Sequence, residues 1–214
     1  MKYLETVIEC GLFSKISKTD YILAFESLIV TGKSYEKDTI LFREGEIIDR
    51  IGIVAKGSVR EEKTYLQGDV HILQVYDKNA IVGLEVAASR KKTAISEFVC
   101  SEDAEIVWIL FETLKKSKWK KEMIESLLQY LADDNVRKIN KVSILACKGL
   151  RERILLYLEV QKKRTVGNCI HIKMNREQLA QFLCVSRSAL SNELNKMKKE
   201  GILDFQKNDF YLKK

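Results

Sequence analysis

The chain has 214 residues, 46% of them apolar, no proline and a formal net charge of +7, which is enough to bury one large core or two modest ones. No apolar run reaches the roughly 18 residues of a membrane span and the opening MKYLETVIECGLF lacks a secretory pattern, so a cytoplasmic protein with no membrane partner is expected. Cys10, Cys100, Cys147, Cys169 and Cys184 are scattered and odd in number, which argues against a disulfide framework, and without a CxxC pair or a dense Cys/His cluster no metal site is expected.

Residues 3–30 carry apolar side chains at helical spacing and predict short helices around Thr19 to Leu28. The period then changes. Thr39-Ile40-Leu41-Phe42, Ile51-Gly52-Ile53-Val54, His71-Ile72-Leu73-Gln74-Val75 and Ala104 to Leu110 read as short strands, with Gly32, Gly45, Gly57, Gly68 and Gly83 as corners. Many short strands between glycine turns indicate a barrel or sandwich.

From about Ser117 to Lys148 the pattern is one long helix. Ile124, Leu128, Leu131, Asn135, Val142 and Leu145 follow alternating spacings of four and three, with Ile139 and Ala146 widening the stripe and Lys138 interrupting it. Such a seam suits a second copy of the helix, with Asn135 fixing register across the pair. The competing use is packing against the chain's own barrel.

The stretch NREQLAQFLCVSRSALSNEL, Asn175 to Leu194, is a compact helix-turn-helix. Asn175 and Gln178 satisfy the free backbone groups at the start of a first helix, whose inner face is Leu179, Phe182 and Leu183, and small Ala180 allows a close helix crossing. Val185 seals the turn. Ser186 caps a second helix with Leu190, Leu194 and Met197 inward, leaving Arg187, Ser188, Ser191, Asn192, Asn195 and Lys196 on other faces. Gly201 is a left-handed stop, and Ile202 to Leu212 reads as two strands around Lys207-Asn208-Asp209, a small wing. Residues 1–115 hold 15 Lys and Arg against 19 Asp and Glu, whereas residues 116–214 hold 22 against 11. The excess fits a surface that faces nucleic-acid phosphates, or else a general lysine bias. No P-loop, dinucleotide fingerprint or nucleophile with its base is present, so no catalytic residue is assigned and no enzyme is expected.

REQLAQFLCVSRSALSNELNKMKKEGIL resembles the helix-turn-helix of the CRP/FNR superfamily of bacterial transcription regulators. TILFREGE (Thr39 to Glu46), VAKGSV (Val54 to Val59) and Gly83 to Glu85 resemble landmarks of that family's cyclic-nucleotide-binding-type β-barrel. The resemblance implies an α+β fold: a jelly-roll-like sensory barrel over residues 1–116, a long central dimerisation helix over 117–148, and a winged helix-turn-helix over 149–214 that begins with RERILLYLEV (Arg151 to Val160). It further implies a homodimer, joined through Ile124, Leu128, Leu131, Asn135, Ile139 and Val142, on double-stranded DNA, with RNA polymerase as a further partner. The DNA-facing set is then Asn175, Arg176, Ser186, Arg187, Ser188, Ser191, Asn192 and Lys196. Arg187, Ser188, Ser191 and Asn192 are expected on base edges, and Ser186 and Lys196 on phosphates.

The effector pocket implied by the resemblance is Gly83, Glu85, Arg90, Lys92 and Thr93. In cyclic-nucleotide-responsive relatives a Gly-Glu pair and an Arg-Ser/Thr-Ala triplet hold the ribose and the cyclic phosphate. Here Leu84 separates Gly83 from Glu85, and Lys92-Thr93-Ala94 has a point charge where the planar Arg fork belongs. cAMP is therefore not the expected effector. Cys10 stands alone where some relatives carry several closely spaced cysteines that hold an iron–sulfur cluster, so that cluster is not expected; nor is haem. Two other readings stay open: a protein-interaction adaptor, and a thiol-based redox sensor in which Cys184, at the motif's turn, responds to oxidation.

Overall fold

A computed structural model of the chain describes residues 2–65, 68–163, 165 and 167–213. They form two compact units, Met1–Thr64 with Leu73–Asp134 and Tyr65–Ile72 with Asn135–Lys214. The division falls inside the long helix, whereas the sequence reading separates the helix from both neighbours at 116/117 and 148/149.

The first unit begins with α1 (Leu4–Glu9), a 3-10 turn (Lys18–Asp20) and α2 (Tyr21–Glu26), the last two where short helices are expected. Its barrel is built from β1 (Val30–Tyr35), β2 (Ile40–Phe42), β3 (Arg50–Lys56), β4 (Val59–Thr64), β5 (Val70–Tyr76), β6 (Ile81–Val82), β7 (Glu97–Cys100) and β8 (Ala104–Leu110). A short α3 (Leu84–Ala88) follows β6, and α4 (Phe111–Lys116) follows β8. The strands make two four-stranded sheets, β1-β8-β3-β6 and β2-β7-β4-β5. Phe42, Ile51, Ile53, Tyr76, Phe98, Val107 and Ile109 lie in the shared core.

Ile51, Gly52, Ile53 and Val54 of β3 are all buried. α1, α3 and α4 pack against that strand, so it reads as a continuous apolar run rather than an alternation. Gly32 is a correction to the sequence reading. It lies inside β1 instead of at a corner, because the Tyr3 ring occupies the space a Cβ would need. Gly57 and Gly83 are true corners, with φ of +79° and +75°.

The long helix α5 runs Lys120–Ala146, a little shorter than the expected span. In the second unit it is followed by α6 (Leu150–Lys162), β9 (Ile170–His171), α7 (Arg176–Phe182), α8 (Arg187–Lys199), β10 (Leu203–Gln206) and β11 (Asp209–Leu212). The three strands form one sheet, β10-β11-β9. Ile154, Leu158, Ile170, Leu179, Ala180, Leu183, Leu190, Leu194, Met197, Leu203 and Phe210 are all buried, so the helices and the wing share a core. Among the described residues no helix is long and apolar enough to cross a membrane.

Candidate nucleic-acid interface

Both caps foreseen at the motif form. Gln178 N donates to Asn175 Oδ1 and Asn175 N donates to Gln178 Oε1, each at 2.9 Å, which closes a capping box at the start of α7. Ser186 Oγ accepts from Ala189 N at 3.2 Å and caps α8. The turn between the helices is a Schellman motif: Val185 N donates to Ala180 O and Cys184 N to Gln181 O. α8 ends the same way, with Gly201 N on Lys198 O and Ile202 N on Met197 O.

The two motifs differ in the residue that takes the left-handed position. At the end of α8 it is Gly201, φ +74°, but in the turn it is Cys184, φ +55°. A side chain there is strained, and glycine relieves the strain while giving back part of the gain as unfolded-state entropy. Cys184→Gly is therefore expected to stabilise the chain by roughly 0.5–1 kcal/mol. Chemical denaturation that shows no gain, or a loss, would contradict this account of the turn.

Leu190, Leu194 and Met197 are at most 1% exposed, while Ser186, Arg187, Ser188, Ala189, Asn192, Asn195, Lys196 and Lys199 are exposed and Ser191 is half-buried. The carboxylates of this helix are drawn off that face. Arg151 on α6 donates through Nε to Glu193 at 2.7 Å and through Nη1 and Nη2 to Glu200 at 2.6 and 3.2 Å. The Arg151 hydrogen bond holds the Glu200 carboxyl below its ordinary pKa. Lys198 pairs with Asp204 of the wing at 2.6 Å. Arg187, Lys196 and Lys199 are thus left as the charges of the outward face. The sequence reading missed Arg151 in this role, since its partners lie 42 and 49 residues away.

Arg176 occupies a different setting. Its Cζ lies 5.0 Å from the Phe205 ring centre and 4.6 Å from that of Phe210, and Nη2 donates to Lys207 O at 2.6 Å. Nη1 is buried without a hydrogen-bond partner among the described residues, and burial pulls the guanidinium pKa down. The side chain fastens the wing turn to the start of α7.

In the barrel, Gly83 caps α3 and Glu85 points to Tyr76. The Tyr76 hydroxyl donates to Glu61 Oε2 at 2.9 Å and lies 3.1 Å from Glu85 Oε1, and Ser96 Oγ donates to Glu61 Oε1 at 2.5 Å. Burial, reinforced by the Glu85 and Glu61 charges, keeps the phenol protonated well above its ordinary range. Gln74 Nε2 donates to Asp134 Oδ1 at 2.6 Å. None of Glu61, Gln74, Tyr76, Ser96 and Asp134 was singled out from sequence. Arg90 and Thr93 are exposed. Lys92, φ +53°, is held by its N–H on Ser89 Oγ and reaches outward to Glu112 at 3.5 Å.

On α5, Leu128 and Val142 are 66% and 67% exposed, and Ile124, Val136 and Ile139 are exposed as well. Asn135 is also exposed, but Leu131 is half-buried against the core of its own barrel, and Ala132 stands in the open stripe in its stead. All five cysteines are free. Burial pushes the Cys10 and Cys100 thiols up to about 12 and about 11, which disfavours the reactive thiolate.

Comparison with known proteins fits this architecture. Residues 32–116 match the cyclic nucleotide-binding domain and residues 152–213 the Crp-like helix-turn-helix domain. The "Anaerobic regulatory protein" of Bacillus subtilis (strain 168) is 24% identical over 208 residues, covering 91% of this chain and 84% of that protein. A mutant of CooA from Carboxydothermus hydrogenoformans superposes with a TM-score of 0.78 at 19% identity, over 95% of this chain and 91% of its own. FixK2 from Bradyrhizobium japonicum gives 0.73 at 19%, over 87% and 94%. With the barrel and the helix-turn-helix matched in this order, the chain belongs to the CRP/FNR superfamily and is a DNA-binding transcription regulator of that type.

Proposed function

We propose that two copies of the chain join along α5 and bind an inverted-repeat DNA site, with one α8 in each major groove. The observation that carries this reading is the outward face of α8. Glu193 of the helix and Glu200 at its C-cap are bonded to Arg151, which leaves Arg187, Lys196 and Lys199 beside uncharged Ser188, Asn192 and Asn195. The lysines serve the phosphates, and a carboxylate-free row of Arg187 and small polar groups can meet base edges. Arg187 favours guanine and Asn192 adenine, while Ser186 and Lys196 serve the backbone. Arg176 acts by holding the wing.

The exposed apolar row on α5 supports self-association, because a monomer would leave it in water. Symmetric pairing sets the half-sites about one helical turn apart. For the barrel, the reading is an effector other than cAMP: Lys92 and Arg90 face outward, and two carboxylates converge on Tyr76. The chain acts in the cytoplasm by binding, without catalysis.

Selection of bound duplexes from random DNA tests the whole. It should return an inverted repeat, and Asn192→Ala should lose preference at one position per half-site, at roughly 1–3 kcal/mol. Recovery of no duplex would favour the adaptor reading. Unchanged selectivity of the variant would remove Asn192 from base readout.

A further inference from the structure

We infer that Ala189 reads the methyl group of a thymine beside the base that Asn192 reads; this rests on the assignment of α8 to the major groove. Among the described residues of α8, Ala189 is the one apolar side chain on the exposed face; the others there are Arg187, Ser188, Asn192, Asn195 and lysines. Its position is fixed, because its backbone N–H is the group that Ser186 Oγ caps. It lies three residues before Asn192 and so on the same face, with Cβ atoms about 5–6 Å apart. That separation corresponds to one or two base steps of about 3.4 Å along a strand.

The chemistry follows from what a methyl group can do. Ala189 offers no donor or acceptor, so a polar base edge pressed against it would lose water without gaining a partner. The apolar group that an unmodified base pair presents in the major groove is the thymine C5-methyl. A side chain this small also lets the backbone of α8 come close enough for contact.

The test uses the full chain and the duplex it selects from random DNA. Each thymidine is replaced in turn by deoxyuridine, which deletes only the C5-methyl. Affinity is measured for wild type, Ala189→Gly and Ala189→Ser. One thymine in each half-site should be sensitive: its replacement weakens wild type roughly three- to fivefold, as expected for one buried methyl, and leaves both variants nearly unaffected. Each protein is compared only with itself, so any loss of helix stability from glycine cancels. Absence of such a thymine, or equal loss in all three proteins, overturns the role of Ala189 while DNA binding stands. Failure to select any duplex overturns the underlying reading together with this one.

Discussion

Substituting Glu for both Leu128 and Val142 is expected to leave the chain monomeric at micromolar concentration. Both side chains lie on the open stripe of α5, 66% and 67% exposed. A carboxylate at each would face its symmetry mate across the paired helices, where burial without a counter-charge costs several kcal/mol. Neither side chain belongs to the core of its own copy, so the fold should survive. The consequence for DNA is large: two linked half-site contacts exceed one by roughly 10²- to 10⁴-fold, and the monomer loses that factor. Sedimentation gives the mass, and titration of duplexes with one and two half-sites gives the affinities. The wild type should prefer the double site and the variant should not. A variant that remains dimeric would show that the stripe has another use.

The second large effect is expected at Leu190. It is fully buried on the inner face of α8, one turn from the exposed start of that helix. Leu190→Ala removes buried methyl groups and leaves a cavity, at a cost of about 2–5 kcal/mol. That is a large share of the stability of a winged domain this small. Calorimetry should show a lower melting transition for the variant, and DNA binding should fall as that unit unfolds. Ser191→Ala, its half-buried neighbour, should leave melting nearly unchanged, so the pair separates loss of fold from loss of contact. Equal melting of both variants with wild type would contradict the packing described for α8.

The winged half was legible because its signals are local. Asn175 with Gln178, and Ser186 before a stripe at positions 190, 194 and 197, specify caps and an inner face within a few residues of each other. The barrel was only partly legible. Ile51 to Val54 and Ala104 to Leu110 announce themselves as apolar runs, but β4 carries the sequence VREEKT. Its inward Glu61 accepts hydrogen bonds from Tyr76 and Ser96, which lie 15 and 35 residues away. β1, with the sequence VTGKSY, is equally unmarked, and the role of Gly32 depends on Tyr3 far earlier in the chain. The setting of Lys92 was equally hidden: sequence adjacency cannot say which way a loop turns, and Lys92, with a left-handed backbone, pairs with Glu112. On α5 the heptad count included Leu131, whereas the helix meets its barrel at that position and presents Ala132 outward.

The setting of Arg176 bears on how tightly binding depends on salt. Each phosphate neutralised by a side chain releases condensed counterions and steepens the fall of log affinity with log salt by about 0.9. Arg176 lies over the Phe205 and Phe210 rings, with one of its nitrogens donating to the Lys207 carbonyl. Held there, it is expected to release no ion from the duplex. The slope of log affinity against log salt is therefore expected to count fewer cations than the basic composition of the C-terminal half suggests, with the charge of Arg176 acting as mortar within the protein.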